Sequence, residues 1–363
     1  MKQKWRIEKK WGRKRLIVLS SVFLVIAMII VWRCWPSSAT QMKRSTAMVE
    51  QQSWYEVSID DKPVLYFRDI QADSTLINPS PNDSLSRQVS YTTGVWINRF
   101  SMLASCRGRL VTTQKTNAMM DKMDALKLIR HEKTLNQQRL SRQRTRLREL
   151  DYYLRVHNVQ DNGYNSIAEY AAKIRKEQAH EKALAKVLDS IMHAKKSRIT
   201  RQSKYTVHYY THKKQASTVV CQAISVCAPL ESEKRHMQTH AESHGNSTRV
   251  PWRNNMLLLQ THNRITPIGI STLSIMPWKG MKSGDAVAVG YNGIAIQEWA
   301  NSKIRPTILP IKLQDGQHRL SEVLGGDGSP VFSPRGYFIG ITLGKKVIAS
   351  DELLNLFGKE KKR

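Results

Sequence analysis

Cysteine, acidic side chains and long apolar runs are all scarce in this chain. Only 4 of the 363 residues are cysteine, too few for a disulfide-dense secreted scaffold or a cysteine-built metal domain. Cys221 and Cys227 flank a short apolar run, a spacing compatible with a local bridge or with two small buried hydrophobes. Cys106 has no evident mate. Asp and Glu number 29 against 58 Lys and Arg, a formal net charge of +29. Such a field favours anionic partners: phospholipid headgroups, acidic polysaccharide, acidic proteins or nucleic acid. No histidine precedes His131, so the first third of the chain cannot supply an imidazole base. Proline is missing between Lys115 and about residue 199, which removes the strongest helix breaker from that stretch.

The one long apolar run, Leu16–Trp32, carries no charge and lies at the short end of a membrane span. Before it come Lys2, Lys4, Arg6, Lys9, Lys10, Arg13, Lys14 and Arg15, opposed by Glu8 alone. The positive-inside rule places this arm (1–15) in the cytoplasm and everything after the span (16–32) outside it. No A-x-A-like cleavage site follows, and Arg33 before Cys34 does not suit a lipoprotein box, so an uncleaved single-pass signal anchor is expected. An exported location removes nucleic acid from the expected partners despite the high charge.

Beyond a polar linker (33–52), the composition alternates between β and α character. The WYEVSI and PVLYF runs around Asp60-Asp61 read as a hairpin, and two further strands follow between Val89 and Thr113. From 114 to 203 the pattern becomes helical. Met119, Met123, Leu126, Leu140, Leu147, Leu150 and Leu154 form one stripe, interrupted by Lys133. Ile167, Tyr170, Ile174, Leu184, Leu188 and Ile191 form a second, after a turn at Asp161-Asn162-Gly163. Ser166 and Glu169 match a capping box. Two one-sided helices predict an antiparallel, coiled-coil-like hairpin. Its outer faces are basic, and Arg142, Arg144, Arg146 and Arg148 are the candidate binding cluster for an anionic or protein partner. The β pattern resumes from 204 to 357, and a basic tail (358–363) ends the chain.

Gly325-Gly326-Asp327-Gly328-Ser329-Pro330-Val331-Phe332, followed by Gly336-Tyr337-Phe338-Ile339-Gly340-Ile341-Thr342, resembles the nucleophile loop of trypsin-like (chymotrypsin-fold) serine peptidases, G-x-S-G-x-P and a strand ending in G-I. Glycine there lets the main chain approach a substrate and present oxyanion-hole N–H groups. The segment from Lys282 to Tyr291 is similar to the K-x-G-D-x-V-x-x-G segment of HtrA-type peptidases. Arg253–Leu259 is similar to the strand carrying the orienting aspartate. Thr93–Ile97 with Leu103–Arg107 is similar to the G-x-x-I … L-T-x-x-H segment of the general base. The four segments keep the family's order. The resemblance covers roughly 53–113 and 204–357, and the helical hairpin has no counterpart in the simple form of the fold.

The resemblance implies a two-barrel antiparallel β domain, mainly β with an α insertion, and a degenerate triad. The base position falls on Arg107 (Cys106 one register away), the orienting aspartate on Asn255, and the nucleophile on Asp327 or a deletion. An arginine cannot accept a proton near neutral pH, and a carboxylate puts negative charge where the oxyanion must form. The expected protein is a catalytically inactive homologue in the bacterial cell envelope, a binding or scaffold protein without a cofactor. Ser329 is a weak candidate for a displaced nucleophile because no partnered base is visible. His236, His240 and His244 have helical metal-ligand spacing, but their polar surroundings favour a solvated loop.

Overall fold

The computed structural model describes residues 18–24, 36–99, 107–117, 124–194, 196–211, 216–227, 252–275, 281–291, 305–320 and 326–358. A short helix, Ala39–Ser45, opens the folded part, capped by a reciprocal Ser38–Gln41 box. Strand β1 (Thr46–Ile59) starts directly after it, inside the stretch read above as linker. Its buried positions alternate from Val49 onward, which turns a period-2 sequence into a strand with one face inward. Asp60 and Asp61, at φ 48° and 63°, turn the chain into β2 (Lys62–Phe67) with the positive φ pair that a two-residue hairpin requires. A small pair, β3 (Asp69–Ile70) and β4 (Leu76–Ile77), and the short helix Asp83–Ser86 follow.

The first barrel is completed by β5 (Gln88–Arg99), β6 (Arg109–Asn117), β7 (Ser197–Tyr210), β8 (Ala216–Cys227) and β9 (Trp252–Thr261). Its sheet runs β5-β6-β9-β8-β7-β1, and pairing of β5 with β1 closes the ring. Strand β2 extends the sheet beside β1, and β10 (Leu273–Ile275) runs parallel to β5. The second barrel contains β11 (Gly284–Gly290), β12 (Thr307–Gln314), β13 (Gln317–His318), β14 (Pro330–Phe332), β15 (Phe338–Leu343) and β16 (Lys346–Ala349). It closes in the order β11-β12-β13-β16-β15-β14. A C-terminal helix, Ser350–Gly358, follows. Two closed six-stranded antiparallel barrels resemble the chymotrypsin-like architecture. Val95, Ile97, Val111, Met256 and Leu258 of the first barrel pack against Val289, Phe332, Ile341 and Leu343 of the second in one buried cluster. Trp96, Leu110, Val207, Leu257 and Leu259 fill the first barrel itself.

The helical insertion lies between β6 and β7, as helices Ala125–Val156 and Tyr164–His193. Strand β6 runs to Asn117 and β7 begins at Ser197, so the inserted segment is shorter at both ends than 114–203. Leu128 and Ile129 are the most deeply buried apolar residues of the first helix, whereas Leu126 and Tyr170 are exposed. The second helix begins at Tyr164 behind Gly163, which has φ 91° and no side-chain cap. Ser166 therefore sits inside the helix and forms no capping box. Lys133, read as an interruption, reaches across to Asp189 at 2.7 Å.

Cys221 is a buried free thiol. It lies six residues from Cys227 on one strand, roughly 20 Å at strand rise, well beyond the reach of a disulfide. Burial pushes its thiol up to about 12.

Among the described residues no helix is long and apolar enough to cross a membrane. Most of the 16–32 span lies outside the described residues. The part that is described, 18–24, is helical, and its Val18, Leu19, Val22, Phe23 and Leu24 are exposed.

Candidate functional site

The turn at residues 326–329 is pinned between the two barrels. Gly328 lies at φ 86°, and its N–H donates to the Thr342 carbonyl at 2.8 Å. A Cβ at Gly328 would run into the carbonyl of Thr93, so the residue after Asp327 has to be glycine. The Thr93 N–H in turn donates to the Asp327 carbonyl at 3.1 Å, which joins β5 of the first barrel to the turn of the second. Ser329 is fully buried. Its N–H donates to Thr342 Oγ1 at 3.0 Å and its hydroxyl donates to the Gly326 carbonyl at 2.7 Å. The side chain is a structural tie rather than a displaced nucleophile. The N–H groups of Gly328 and Ser329 are both spent on Thr342 of β15.

The Asp327 side chain is 8% exposed and lies 3.9 Å from the Lys115 ammonium, which is 52% exposed. Its Oδ1 accepts a hydrogen bond from the Gly344 N–H at 2.8 Å. Its Oδ2 is buried and has no hydrogen-bond partner. Lys115 stands near the end of β6, and Arg201 Nη2 donates to its carbonyl at 3.3 Å. The cation facing Asp327 is thus Lys115, and the Arg107 expectation is corrected. Arg107 sits at the opposite end of the strand, eight residues away and about 26 Å at strand rise.

The signal for Lys115 was present in the sequence. Val111-Thr112-Thr113-Gln114-Lys115 fits L-T-x-x-H better than Leu103–Arg107 does, placing Lys115 at the histidine position, with Gly108 three residues upstream. The glycine is needed there: it adopts φ 59°, and a Cβ would meet the Thr261 hydroxyl.

Asn255 is also misplaced by one position. In the β6–β9 ladder Asn255 pairs with Gln114, whereas Lys115 pairs with Asn254. Strand alternation therefore turns Asn255 to the face opposite Lys115. Its amide donates to Thr116 Oγ1 at 3.1 Å, while Gln114 reaches Tyr205 in the barrel interior. Of the three expected positions, only Asp327 lies beside Lys115.

His318 was not singled out from sequence. It is buried on β13, its N–H takes the Lys345 carbonyl at 2.9 Å, and its Nδ1 accepts from the Leu320 N–H at 3.1 Å. The neutral ring then carries its proton on Nε2, which is buried without a partner. Burial holds this imidazole below its ordinary value, and the charge of Asp327 opposes that shift. The site therefore contains a half-exposed ammonium, a buried carboxylate with one oxygen outside any hydrogen bond and a buried imidazole. This set can exchange hydrogen bonds and charge with a bound group.

Arg142, Arg144, Arg146 and Arg148 are all exposed. At 100° per residue, Arg142 and Arg146 lie on one side of the helix and Arg144 and Arg148 on nearly the opposite one. They form two pairs rather than the single cluster expected. His236, His240 and His244 lie outside the described residues, as does Cys106. No group of metal-ligating side chains occurs among the described residues.

No family model matches the chain, and no curated protein matches it. It is similar to the ligand-bound 3CL protease of Cavally virus, at 12% identity and a TM-score of 0.20, over 39% of this chain and 49% of that one. A selenomethionine-labelled derivative of the Cavally virus 3CL protease is similar at 13% identity and a TM-score of 0.20, over 38% and 48%. The chain spans about half the length of these proteins. A likeness at that TM-score carries no argument about the site.

Proposed function

We propose that the chain is a membrane-anchored, catalytically inactive homologue of trypsin-like peptidases that binds a partner at its remnant cleft. The observation that carries this reading is the Lys115–Asp327 contact at 3.9 Å, which joins the nucleophile position of the resemblance to the lysine that the Val111–Lys115 match, rather than the expected Arg107, sets at the histidine position. A lysine ammonium has no lone pair with which to accept a proton, and a buried carboxylate repels an oxyanion. The cleft keeps the ability to recognise polar groups while lacking the parts for acyl transfer. Its partner is a protein segment or another group offering an anion to the half-exposed Lys115. The exposed arginine pairs of the hairpin add a second surface for an acidic partner.

Anchoring rests on the basic arm, the uncharged Leu16–Trp32 run and the exposed apolar side chains of residues 18–24. The folded part then lies outside the cytoplasmic membrane, in the periplasm of a bacterial envelope. One experiment on the full chain tests both halves. Spheroplasts carrying the protein are first exposed to a fluorophosphonate probe and then to added protease. The proposal expects no covalent label on the chain and digestion of its bulk. Labelling would restore an active peptidase with unusual residues. Complete protection would place the folded part in the cytoplasm.

A further inference from the structure

The seam between β7 and β8 is closed for only part of its length. Their ladder runs from Tyr210 opposite Ala216 to Tyr205 opposite Cys221 and stops there. Beyond that point β7 continues to Ser197 beside β1, and β8 continues to Cys227 beside β9. Among the described residues no strand takes the other side of β7 between 197 and 204. Burial follows the same break. Tyr205 and residues 207–210 are buried, whereas every residue from Ser197 to Lys204 is partly or fully exposed. The β8–β9 register shifts between Ala223 and Ser225, and a bulge bends the strand that carries it, which turns β8 away from β7.

An antiparallel strand sends the N–H and C=O groups of alternate residues to opposite neighbours. Half of the 197–204 segment therefore presents main-chain donors and acceptors to the open side, along roughly 26 Å of edge. Such an edge is a template for another strand. Its side chains select which one. Arg198, Arg201 and Lys204 recur at every third residue, so they alternate between the two faces of the sheet. Across the ladder they meet Ser58, Tyr55 and Gln52, none of them acidic. Glu56, which lies between, accepts from Thr200 and Gln202. Neither β7 nor β8 contains an acidic residue. Arg201 Nη2 donates to the Lys115 carbonyl at 3.3 Å, while its Nε and Nη1 are buried without a hydrogen-bond partner among the described residues. The same edge of a second copy would set like charges opposite one another and is repelled.

We propose that the free edge of β7 binds an acidic, extended protein segment by strand addition, with carboxylates at three-residue spacing opposite Arg198, Arg201 and Lys204. Main-chain bonds supply the affinity, and the cross-strand charges fix the register. The edge uses neither the Lys115 ammonium nor Asp327, so its occupancy is independent of the cleft.

The test uses the full chain in nanodiscs of neutral phosphatidylcholine and fluorescent Thr/Val peptides of about ten residues. One peptide carries glutamate at every third position, and a second of the same composition carries it at every other position. The first is expected to bind more tightly and to slow amide exchange in residues 198–204. Two N-methylated versions of it block alternate N–H groups in the two possible phases. One should lose about tenfold or more in affinity, because its methyl groups replace the donors to β7, and the other should bind as before. Arg198→Gln with Lys204→Gln should weaken binding about fivefold. Arg201 is left in place because it ties β7 to β6. Lys312→Gln with Arg319→Gln, both exposed on the second barrel, removes the same charge and should leave binding intact. Absence of binding, equal binding of the two glutamate spacings, equal effects of the two methylated versions, unchanged exchange in 198–204, or equal affinities of the two charge variants overturns the proposal.

Discussion

Lys115 and Asp327 are unequal partners, and the inequality sets what their contact is worth. The ammonium is half in water, so its attraction to the carboxylate is screened and worth about 1 kcal/mol at most. The carboxylate is nearly enclosed and also holds the Gly344 N–H. Asp327→Ala is therefore expected to cost roughly 1–3 kcal/mol, mainly through the unpaired N–H and the lost buried bond. A double-mutant cycle with Lys115→Met, followed by urea unfolding, should give a small positive coupling that salt reduces. Strict additivity at low salt would show that the two side chains do not interact.

His318 provides a pH handle on the same site. Its ring is held below the ordinary 6.5 by burial, so above 6.5 it is neutral in both folded and unfolded chains. As pH falls through 6.5 the unfolded chain takes up the proton first, and folding stability declines towards the folded value. Asp327 partly offsets the shift, so Asp327→Ala should steepen the acid loss. Thermal melts from pH 8 to 5 should show a shallower decline for His318→Gln than for the natural chain. Parallel curves would mean that His318 is not the titrating group.

The hairpin depends on one buried carboxylate more than its sequence suggests. Glu132 is fully buried. It accepts from the Leu76 N–H at 3.2 Å and from Arg139 Nη2 at 2.6 Å. Arg139 Nε reaches both oxygens of Glu181 at 3.2 Å, and Asn136 donates to the Glu181 carbonyl at 3.1 Å. The network thus ties both helices to each other and to β4. Around it, Leu128, Ile129, Leu184, Leu188 and Ile191 pack against Tyr55, Leu65, Phe67 and Ile70. Glu132→Ala should destabilise the chain by about 2–4 kcal/mol, because a guanidinium and an N–H lose their partner together. Hydrogen exchange should then quicken in residues 125–193 while the second barrel stays protected. Glu132→Gln, which keeps an acceptor for Leu76, should recover part of the loss. Unchanged protection in Glu132→Ala would remove the network from the account. Periodicity made the helices legible but not this docking. A glutamate in a basic helix looks solvated until the partner strand, more than fifty residues upstream, is in place.

At the scale of the whole molecule, the order of strands and the inserted hairpin could be read from alternation, turn residues and the missing prolines. Asp327 was legible because glycine geometry is local. Lys115 was missed because the base segment was matched eight residues early, where Cys106 and Arg107 drew attention. Asn255 was missed by one residue, which in a strand is the difference between two faces. His318 had no local signature at all, since its burial comes from the closure of a barrel.

The two rings also share a deeper regularity. Numbered within each barrel, both run first, second, third, sixth, fifth, fourth, so the halves repeat one another. Lys115 closes the third strand of its half, and Asp327 follows the third strand of the other. The cleft is thus where two equivalent crossings meet. In the first half the crossing from β6 to β7 carries the entire helical hairpin. A helix of 32 residues is a rod of about 48 Å, rooted ten residues beyond Lys115. A force or a ligand acting on its far end is therefore levered against the apolar contacts that seat Leu128 and Ile129 on β1 to β4.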